Sequence, residues 1–216
     1  MKKILFIAIV LLGLYSCSNK PNESNNTFTD NRDGKIYKTI KIGNQIWMAE
    51  NLNYEAPKSF HYLLSNYSDN GREYIKEILK KPPESWTYYG YDVALSACPE
   101  GWHIPSMDEW IILKDNLKKS NMNDSTLLNG GSSGLNFLLL YYYNPFYKND
   151  KKSITSTISI GNKFGELGMY WSSTDRGGQN GGKKIFTIFK TGENDFESIQ
   201  ENDKNEVGLS VRCVKD

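Results

Sequence analysis

The stretch CPEGWHIPSMDEW, residues 98–110, carries a cysteine, two tryptophans and the start of a helix. Ser106 is a good N-cap residue, and Glu109 stands three residues after it, which is the spacing of a capping box. Lys118 and Lys119 fall in the last predicted turn, where cations suit the helix dipole. Between these ends, apolar residues recur at helical spacing and predict one buried face. They are Trp110, Leu113 and Leu117.

A β-hairpin is predicted ahead of this helix. Residues 35–42 form its first strand, and Gly43-Asn44 makes a two-residue turn with glycine at the first central position, as a type II′ turn requires. Residues 45–48 form the second strand. We expect this hairpin to open a folded domain that begins near Asp33. The isoleucines that share one face of the first strand are Ile36, Ile40 and Ile42.

The remaining elements follow from the same periodicities. Residues 70–81 are predicted to form a helix that ends at Pro82-Pro83, and residues 92–97 to form a short helical turn. Helices early and strands late, in a loop-rich second half, indicate an α+β fold. Short strands are predicted at residues 169–172, 185–190 and 207–214. In the last of these, alternation directs one set of side chains to the same side: Val207, Leu209, Val211 and Cys213.

The first sixteen residues have the parts of a secretory signal. Two lysines precede an apolar run over residues 4–14, which is shorter than the roughly 20 residues of a membrane-spanning helix. Cys17 follows Ser16, and this arrangement resembles the lipobox of bacterial lipoproteins, in which the cysteine is acylated and becomes the N-terminus. We predict a signal peptide over residues 1–16 and a lipid on Cys17. The alternative is an ordinary signal peptide followed by an incidental cysteine.

Export and acylation place the protein in the cell envelope. We expect its lipid to lie in a membrane, the outer membrane, and its domain to lie outside the cytoplasm. Residues 17–32 are predicted to be a lipidated, flexible tether, and residues 33–216 the folded domain. Without the two signal-peptide lysines, the chain has 24 basic and 25 acidic side chains. This balance gives no electrostatic footprint for nucleic acid.

Two cysteines, Cys98 and Cys213, remain once Cys17 is acylated. Because an exported chain enters an oxidising compartment, their thiols are predicted to form a disulfide. The bond would close a loop of more than a hundred residues, for which chain entropy gives about 4.7 kcal/mol of stabilisation. The alternative is two buried free thiols.

Four ordered blocks of the sequence resemble one known family. They are IGNQIWMAENL at residues 42–52, CPEGWHIPS at 98–106 with Glu109-Trp110, YWSST at 170–174 and GLSVRCV at 208–214. In this order they resemble the Fibrobacter succinogenes major paralogous domain, which is common in lipoproteins of Bacteroidetes and Fibrobacteres. The resemblance covers residues 33–216.

This resemblance implies a C-type lectin-like fold, in a superfamily that also holds formylglycine-generating-enzyme-like domains. Such a fold pairs the N- and C-terminal strands, contains one or two helices, and joins the helical half to the final strand by a cysteine bridge, here Cys98 to Cys213. Residues 138–147 are unusually apolar and aromatic for the family. The chain path between Leu117 and Gly168 is therefore left open.

No catalytic or metal-binding constellation stands out in the sequence. The oxygen-rich triplets of a calcium-dependent sugar site are missing, and the acidic clusters at residues 193–195 and 201–203 are expected to be solvated loop charges. His103 is predicted to have a hydrogen-bonded structural role. Neither it nor His61 has the partners of a zinc site or a catalytic triad. Formylglycine-type oxidation needs free reactive cysteines, so we expect no enzyme activity, no cofactor and no metal.

An aromatic segment is the candidate binding surface. Its rings cannot all point inward on one strand, so some are expected to be exposed, where they can stack on sugars or fill a partner's pocket. The alternative is a buried strand with a wet edge. The rings are Tyr141, Tyr142, Tyr143, Phe146 and Tyr147.

Three functional hypotheses follow from this sequence. The first is a non-enzymatic, membrane-anchored module whose loops bind a glycan or a protein, since a rigid bridged scaffold tolerates variable loops. The second is a structural component of a cell-envelope assembly, with residues 141–147 as its contact. The third is a divergent enzyme.

Overall fold

The computed structural model describes residues 26–66, 69–140, 165–175, 182–191, 193–199 and 206–216. Over these residues the chain has an α+β fold, as predicted. The strands are β1 (Thr27–Thr29), β2 (Ile36–Ile42), β3 (Gln45–Met48), β4 (Phe60–Leu63), β5 (Ser85–Tyr88), β6 (Trp102–His103), β7 (Leu167–Asp175), β8 (Lys183–Phe189), β9 (Asn194–Ile199) and β10 (Val214–Lys215). The helices are α1 (Asp69–Ile78), α2 (Tyr91–Ala94) and α3 (Met107–Lys119), with 3-10 turns at Leu64–Asn66 and Asp124–Leu127.

The largest sheet joins the two ends of the domain. Its strand order is β1-β2-β3-β10-β6, and each neighbouring pair is antiparallel. Val214 of β10 lies opposite Trp47 of β3 on one side and His103 of β6 on the other. The predicted pairing of the N-terminal hairpin with the last strand is therefore confirmed. The other strands form the β4-β5 ribbon and the β7-β8-β9 sheet, both antiparallel.

The hairpin and the capped helix form where the sequence predicted them. β2 and β3 pair in register up to Ile42 opposite Gln45, and Gly43 has a φ of +60°, which glycine adopts without strain. At the start of α3, Ser106 Oγ accepts a hydrogen bond from the Glu109 amide at 3.3 Å, and Glu109 Oε2 accepts one from the Ser106 amide at 2.8 Å. The capping box is complete. The buried residues of α3 are those predicted: Trp110, Leu113 and Leu117.

Two helical predictions are confirmed with small shifts, and two sheet regions were not predicted. α1 ends at Ile78, a few residues before the predicted stop, and α2 is a single turn starting at Tyr91. The β4-β5 ribbon and β9 lie outside the predicted strands. β4 alternates between half-buried and exposed residues, but at four residues it is too short to stand out in the sequence.

The folded domain begins earlier than predicted. Thr27–Thr29 form an edge strand on β2, in a region that the sequence assigns to a tether ending at Arg32. Phe28 packs its ring 5.1 Å from that of Trp102, and the buried carboxylate of Asp30 forms an ion pair with Arg32. The tether prediction is therefore wrong for residues 27–32. One aromatic residue in a polar stretch gives no periodic signal, so edge pairing alone reveals this strand.

The final segment, residues 207–214, differs from the strand predicted there. Only its last residue lies in a strand, β10, and the preceding residues are buried and run between the sheets. Their backbone bridges go to different neighbours, Leu209 to Tyr89 and Ser210 to Tyr170, so no single strand offers a continuous ladder. The predicted alternation is present, since the odd-numbered side chains share one core cluster.

Three apolar clusters form the core of the described residues. The first contains Cys213, whose disulfide to Cys98 has a Cα–Cα distance of 5.9 Å and confirms the predicted bond. The second centres on Trp110, which stacks on Phe186 at 4.3 Å between ring centroids. The third packs α1 against the β4-β5 ribbon through the fully buried Ile75. Among the described residues, no helix is long and apolar enough to cross a bilayer.

Candidate functional site

A groove of about 490 Å³ lies beside β2, the chain segment after β3 and the start of β5. We refer to it as the β2–β5 groove. Its polar lining consists of amides and charged groups: Asn51, Asn53, Asn129, Asn136, Lys35, Lys38, Lys81 and Glu50. Its apolar lining consists of Ile36, Tyr37, Leu79, Pro83, Trp86 and Leu138. Ligand sites combine apolar surface with polar groups that fix the orientation of the ligand, and this lining contains both.

The amide of Asn53 is fixed against the edge of β5. Its Nδ2 donates to the carbonyl of Ser85 at 3.1 Å, and its Oδ1 accepts from the amide of Thr87 at 2.7 Å. These are the two bonds that a neighbouring strand would make, so the side chain occupies that part of the strand edge. Because both bonds are to backbone, the amide is held in one orientation before any ligand arrives.

Two further amides in the groove are also held by backbone groups. Asn129 Nδ2 donates to the carbonyl of Ile78 at 2.9 Å. Asn136, at a φ of +50°, accepts from the amide of Gly130 at 3.1 Å and donates to the carbonyl of Gly134 at 2.8 Å. Asparagine tolerates this left-handed conformation better than most residues because its short polar side chain bonds nearby backbone. The wall is therefore rigid.

The fourth amide, Asn51, links the groove to a buried arginine. Arg212 Nη2 donates to Asn51 Oδ1 at 2.6 Å and to the carbonyl of Asn136 at 3.3 Å. Arg212 Nη1 donates to the carbonyls of Met48 and Leu135, at 3.1 and 2.8 Å. The guanidinium thus joins the segment after β3 to the loop that carries Asn136. It fixes the relative position of two sides of the groove.

Arg212 is fully buried and is bonded to oxygen dipoles and not to a carboxylate among the described residues. Its guanidinium carbon lies 4.3 Å from the ring centroid of Phe137 and 5.9 Å from that of Tyr170, within cation–π range. Burial lowers the pKa of Arg212, although its interaction with the Tyr170 hydroxyl acts in the opposite direction. Its Nε has no hydrogen-bond partner among the described residues. In the sequence, Arg212 is marked only as one charged side chain inside an apolar terminal segment, and it was not predicted as a site residue.

The charged residues of the groove leave it with an excess of cations. Lys35 forms an ion pair with Asp33 at 3.2 Å and donates to the carbonyl of Asn53. The ammonium groups of Lys38 and Lys81, by contrast, have no ion-pair partner in the described part of the chain, and both residues are exposed. The carboxylate of Glu50 accepts a hydrogen bond from the backbone amide of Lys38 at 2.9 Å.

His103, predicted to be structural, bridges two carboxylates outside the groove. Its Nδ1 lies 2.5 Å from Asp216 Oδ1, and its Nε2 lies 2.8 Å from Glu109 Oε1. Partial burial opposes the charged ring, but the hydrogen bonds and charges of these carboxylates outweigh it and raise the pKa of His103. For Glu109, burial is likewise outweighed, by bonds from Ser106 and His103, and its pKa is lowered. The imidazolium ties the last strand to the α3 cap.

The predicted site residues are placed only in part. Cys98 and Cys213 are bonded. Cys17 and the aromatic surface formed by Tyr141, Tyr142, Tyr143, Phe146 and Tyr147 lie outside the described residues. The chain on either side of that aromatic segment is described: Leu139 accepts a backbone bond from Gly165 at 2.9 Å, so the two ends of residues 140–164 meet. Leu138, one residue earlier, lines the groove.

In the part of the chain that is described, no group of three or more His, Cys, Asp or Glu side chains has an arrangement that could hold a metal ion. Glu193 and Asp195 are exposed, and the cluster at residues 201–203 lies outside the described residues. His61 contacts Ser59 at 3.2 Å and lies 4.0 Å from Glu55, in an exposed position. Neither histidine approaches the β2–β5 groove.

The fold and the groove together define an antiparallel α+β domain, closed by a disulfide from the helical half to the last segment, with a polar groove at its surface. The family model of the Fibrobacter succinogenes major domain matches residues 40–215, and the chain belongs to this family. The match includes both bonded cysteines, Arg212 and most of the groove lining. Comparison with curated proteins and with solved structures found no match.

Proposed function

We propose that the protein is an exported lipoprotein, held to the outer membrane by an acylated Cys17, whose domain binds a glycan or a protein ligand without turning it over. The observation that carries this proposal is the β2–β5 groove, about 490 Å³ in volume and walled by amides that backbone groups hold in place. Donors that are already fixed lose little conformational entropy when a ligand binds, so more of the contact energy appears as affinity.

Binding without chemistry is supported by the groove's titratable groups. The described lining offers one carboxylate, Glu50, together with three lysines and the buried Tyr37. Burial raises the pKa of Tyr37 well out of the working range of a general acid or base. Hydrolysis of a glycosidic bond uses a pair of carboxylic groups at a set separation, and a single carboxylate does not supply both roles.

The anchor is supported by the N-terminal sequence and by chain length. Eight residues lie between Cys17 and Asn26, where the described chain begins, and at full extension the distance from Cys17 to Asn26 is at most roughly 30 Å. Acylation at Cys17 therefore keeps the domain close to the bilayer surface. Stable retention takes at least two acyl chains, since one gives only marginal binding.

We also propose that the domain is C-type lectin-like in its finer topology. Its support is the combination of paired termini, β3 with β10, and a disulfide from Cys98, just before β6, to Cys213, just before β10. An experimental structure that includes residues 141–164 would test this directly. A loop excursion that leaves and rejoins the core at Leu139 and Gly165 is the expected result; a separate subdomain would contradict it.

The binding proposal is tested with the mature chain lacking Cys17, residues 18–216, by thermal shift against a glycan panel and a peptide panel, with and without Ca²⁺. We expect a saturable shift with at least one ligand. The shift should weaken in Ile36→Ser, which alters an exposed residue of the groove, and should persist in Ile112→Ser, an exposed isoleucine on α3 outside the groove. No shift with any ligand, together with copurification of envelope proteins, would support the structural role instead.

The anchor is tested separately in the native host. Cys17→Ala should move the protein from the membrane fraction to the soluble fraction, whereas the neighbouring Ser18→Ala should leave it in the membrane. Mass spectrometry of the wild-type N-terminus should find an acylated cysteine. An unmodified Cys17 would remove the lipoprotein assignment and leave the groove proposal standing.

A further inference from the structure

We propose that the β2–β5 groove selects an acidic saccharide, one that carries carboxylates on its sugar rings. This inference rests on the proposed binding function and adds the chemical class of the ligand. It follows from three features of the groove: an excess of hydrogen-bond donors, an excess of positive charge, and strand edges that are already occupied.

The donor excess comes from how the amides are fixed. A side-chain amide has two N–H donors. Asn53 and Asn136 each use one on a backbone carbonyl and use their oxygen on a backbone amide, which leaves one N–H each. Asn51 adds no donor for a ligand, because its oxygen accepts from Arg212 and its Nδ2 is buried. A ligand rich in acceptors satisfies the remaining N–H groups of Asn53 and Asn136, and a ligand rich in donors does not.

The charge of the groove points to the same ligand. Lys38 and Lys81 are exposed and have no ion-pair partner among the described residues, whereas Glu50 is the one carboxylate of the described lining. A carboxylate that bridges toward these two ammonium groups replaces water with charge-assisted hydrogen bonds. Such contacts weaken with salt, because exposed charges are screened over about 8 Å at physiological ionic strength.

The strand edges favour a saccharide over an acidic peptide. Extended peptides commonly bind by adding a strand to an open sheet edge. Here β2 pairs with β1 over residues 36–38 and with β3 over residues 39–42. Beside the groove, the Lys38 amide donates to the Glu50 carboxylate and the Lys38 carbonyl accepts from the Ala49 amide. The free side of β5 is taken by the Asn53 amide at Ser85 and Thr87. A ligand is therefore recognised by side-chain donors and by the apolar residues beside them. The hydroxyl and carboxylate groups of a saccharide accept from such donors, and its ring packs on apolar residues.

The test uses residues 18–216 and three acidic probes, the tetrasaccharides of galacturonate, mannuronate and chondroitin, each beside its neutral methyl ester. Isothermal titration at low salt should show at least one acid binding tenfold or more tightly than its ester, with an affinity that falls as salt is raised. Lys38→Glu with Lys81→Glu should abolish this preference. The charge-matched control, Lys118→Glu with Lys119→Glu on the exposed end of α3, should keep it.

The possible results distinguish the acidic-saccharide proposal from the broader proposal that the groove binds a glycan or a protein. Equal binding of acid and ester, or an unchanged preference in the Lys38/Lys81 variant, would overturn the acidic class and leave glycan binding intact. Tighter binding of a tetraglutamate peptide than of every acidic sugar would assign the groove to a protein partner. No binding of acids, esters, neutral glycans or peptides would overturn both. Circular dichroism of the variants should match the wild type, since the altered lysines are exposed.

Discussion

Replacing Arg212 by methionine should destabilise the domain by several kcal/mol although it removes no apolar surface. Methionine fills most of the arginine volume, so the cavity left behind is small. What the change removes is the donor set that bonds two sides of the fold. The acceptors that lose it are the carbonyls of Met48, Leu135 and Asn136 and the Oδ1 of Asn51.

The magnitude follows from two opposing contributions. Leaving a buried acceptor unsatisfied costs about 1–3 kcal/mol, and there are four acceptors, although the bond to Asn136 at 3.3 Å is long. Against this, the wild type bears the desolvation of a guanidinium, several kcal/mol in a real protein. Partial relaxation also lets some acceptors find other donors. We expect a net loss of about 2–4 kcal/mol for Arg212→Met, and an intermediate loss for Arg212→Lys, whose ammonium cannot span all four positions.

The assay is urea denaturation of the oxidised protein at pH 7, followed by tryptophan fluorescence. Arg72→Met is the matched control, because Arg72 is partly exposed and bonds Asp69 and the carbonyl of Ser65, and its loss should cost less than about 1 kcal/mol. The double variant Asn51→Ala with Arg212→Met should lose less stability than the sum of the two single changes, because each single change removes the same hydrogen bond between these side chains. If Arg212→Met is as stable as the wild type, the reasoning is refuted, because the hydrogen bonds of the guanidinium would then stabilise the fold no more than its desolvation destabilises it.

Three further predictions concern the covalent and electrostatic links of the fold. Cys98→Ser with Cys213→Ser should lower the free energy of unfolding by up to about 4.7 kcal/mol, measured by urea denaturation, and reductant should then have no further effect. Because the pKa of His103 is raised, its contribution to the free energy of unfolding is complete below about pH 6.5 and is lost as pH rises through its pKa in the folded protein. Because the pKa of Glu109 is lowered, its contribution to the free energy of unfolding is present above about pH 4.5 and is lost as pH falls through its pKa in the folded protein. The free energy of unfolding should therefore be highest between about pH 4.5 and 6.5, and this maximum should be flatter in His103→Asn. Ser106→Ala should cost about 1 kcal/mol by removal of the N-cap, and a thermal midpoint equal to the wild type would contradict the capping role.

Local signals in the sequence predicted several elements correctly. The hairpin needed only a two-residue turn with glycine first, and the start of α3 needed only Ser106 and Glu109 three residues apart. The disulfide needed only compartment and count, because two cysteines allow one pairing. In each case the interacting groups are close in sequence or have no competing partner.

Other features could not be read from the sequence because their partners are far apart along the chain. β1 exists because β2 offers it an edge, and residues 207–213 are not a strand because their neighbours change every residue or two. The groove combines Asn53 with Asn129 and Asn136, which lie more than seventy residues away. The candidate surface at residues 141–147 remains a prediction.

The sequence by itself determined the capped helix, the opening hairpin and the cysteine pair, since each depends on neighbouring residues or simple counting. Only the tertiary structure decided that Arg212 lies inside the core and that Asn51 and Asn53 line a groove. It also decided that two lysines of this groove have no ion-pair partner within the described residues. The physical reason is that a polar side chain is stabilised or exposed by the groups around it. Those groups are brought together by packing, which no local pattern of residues records.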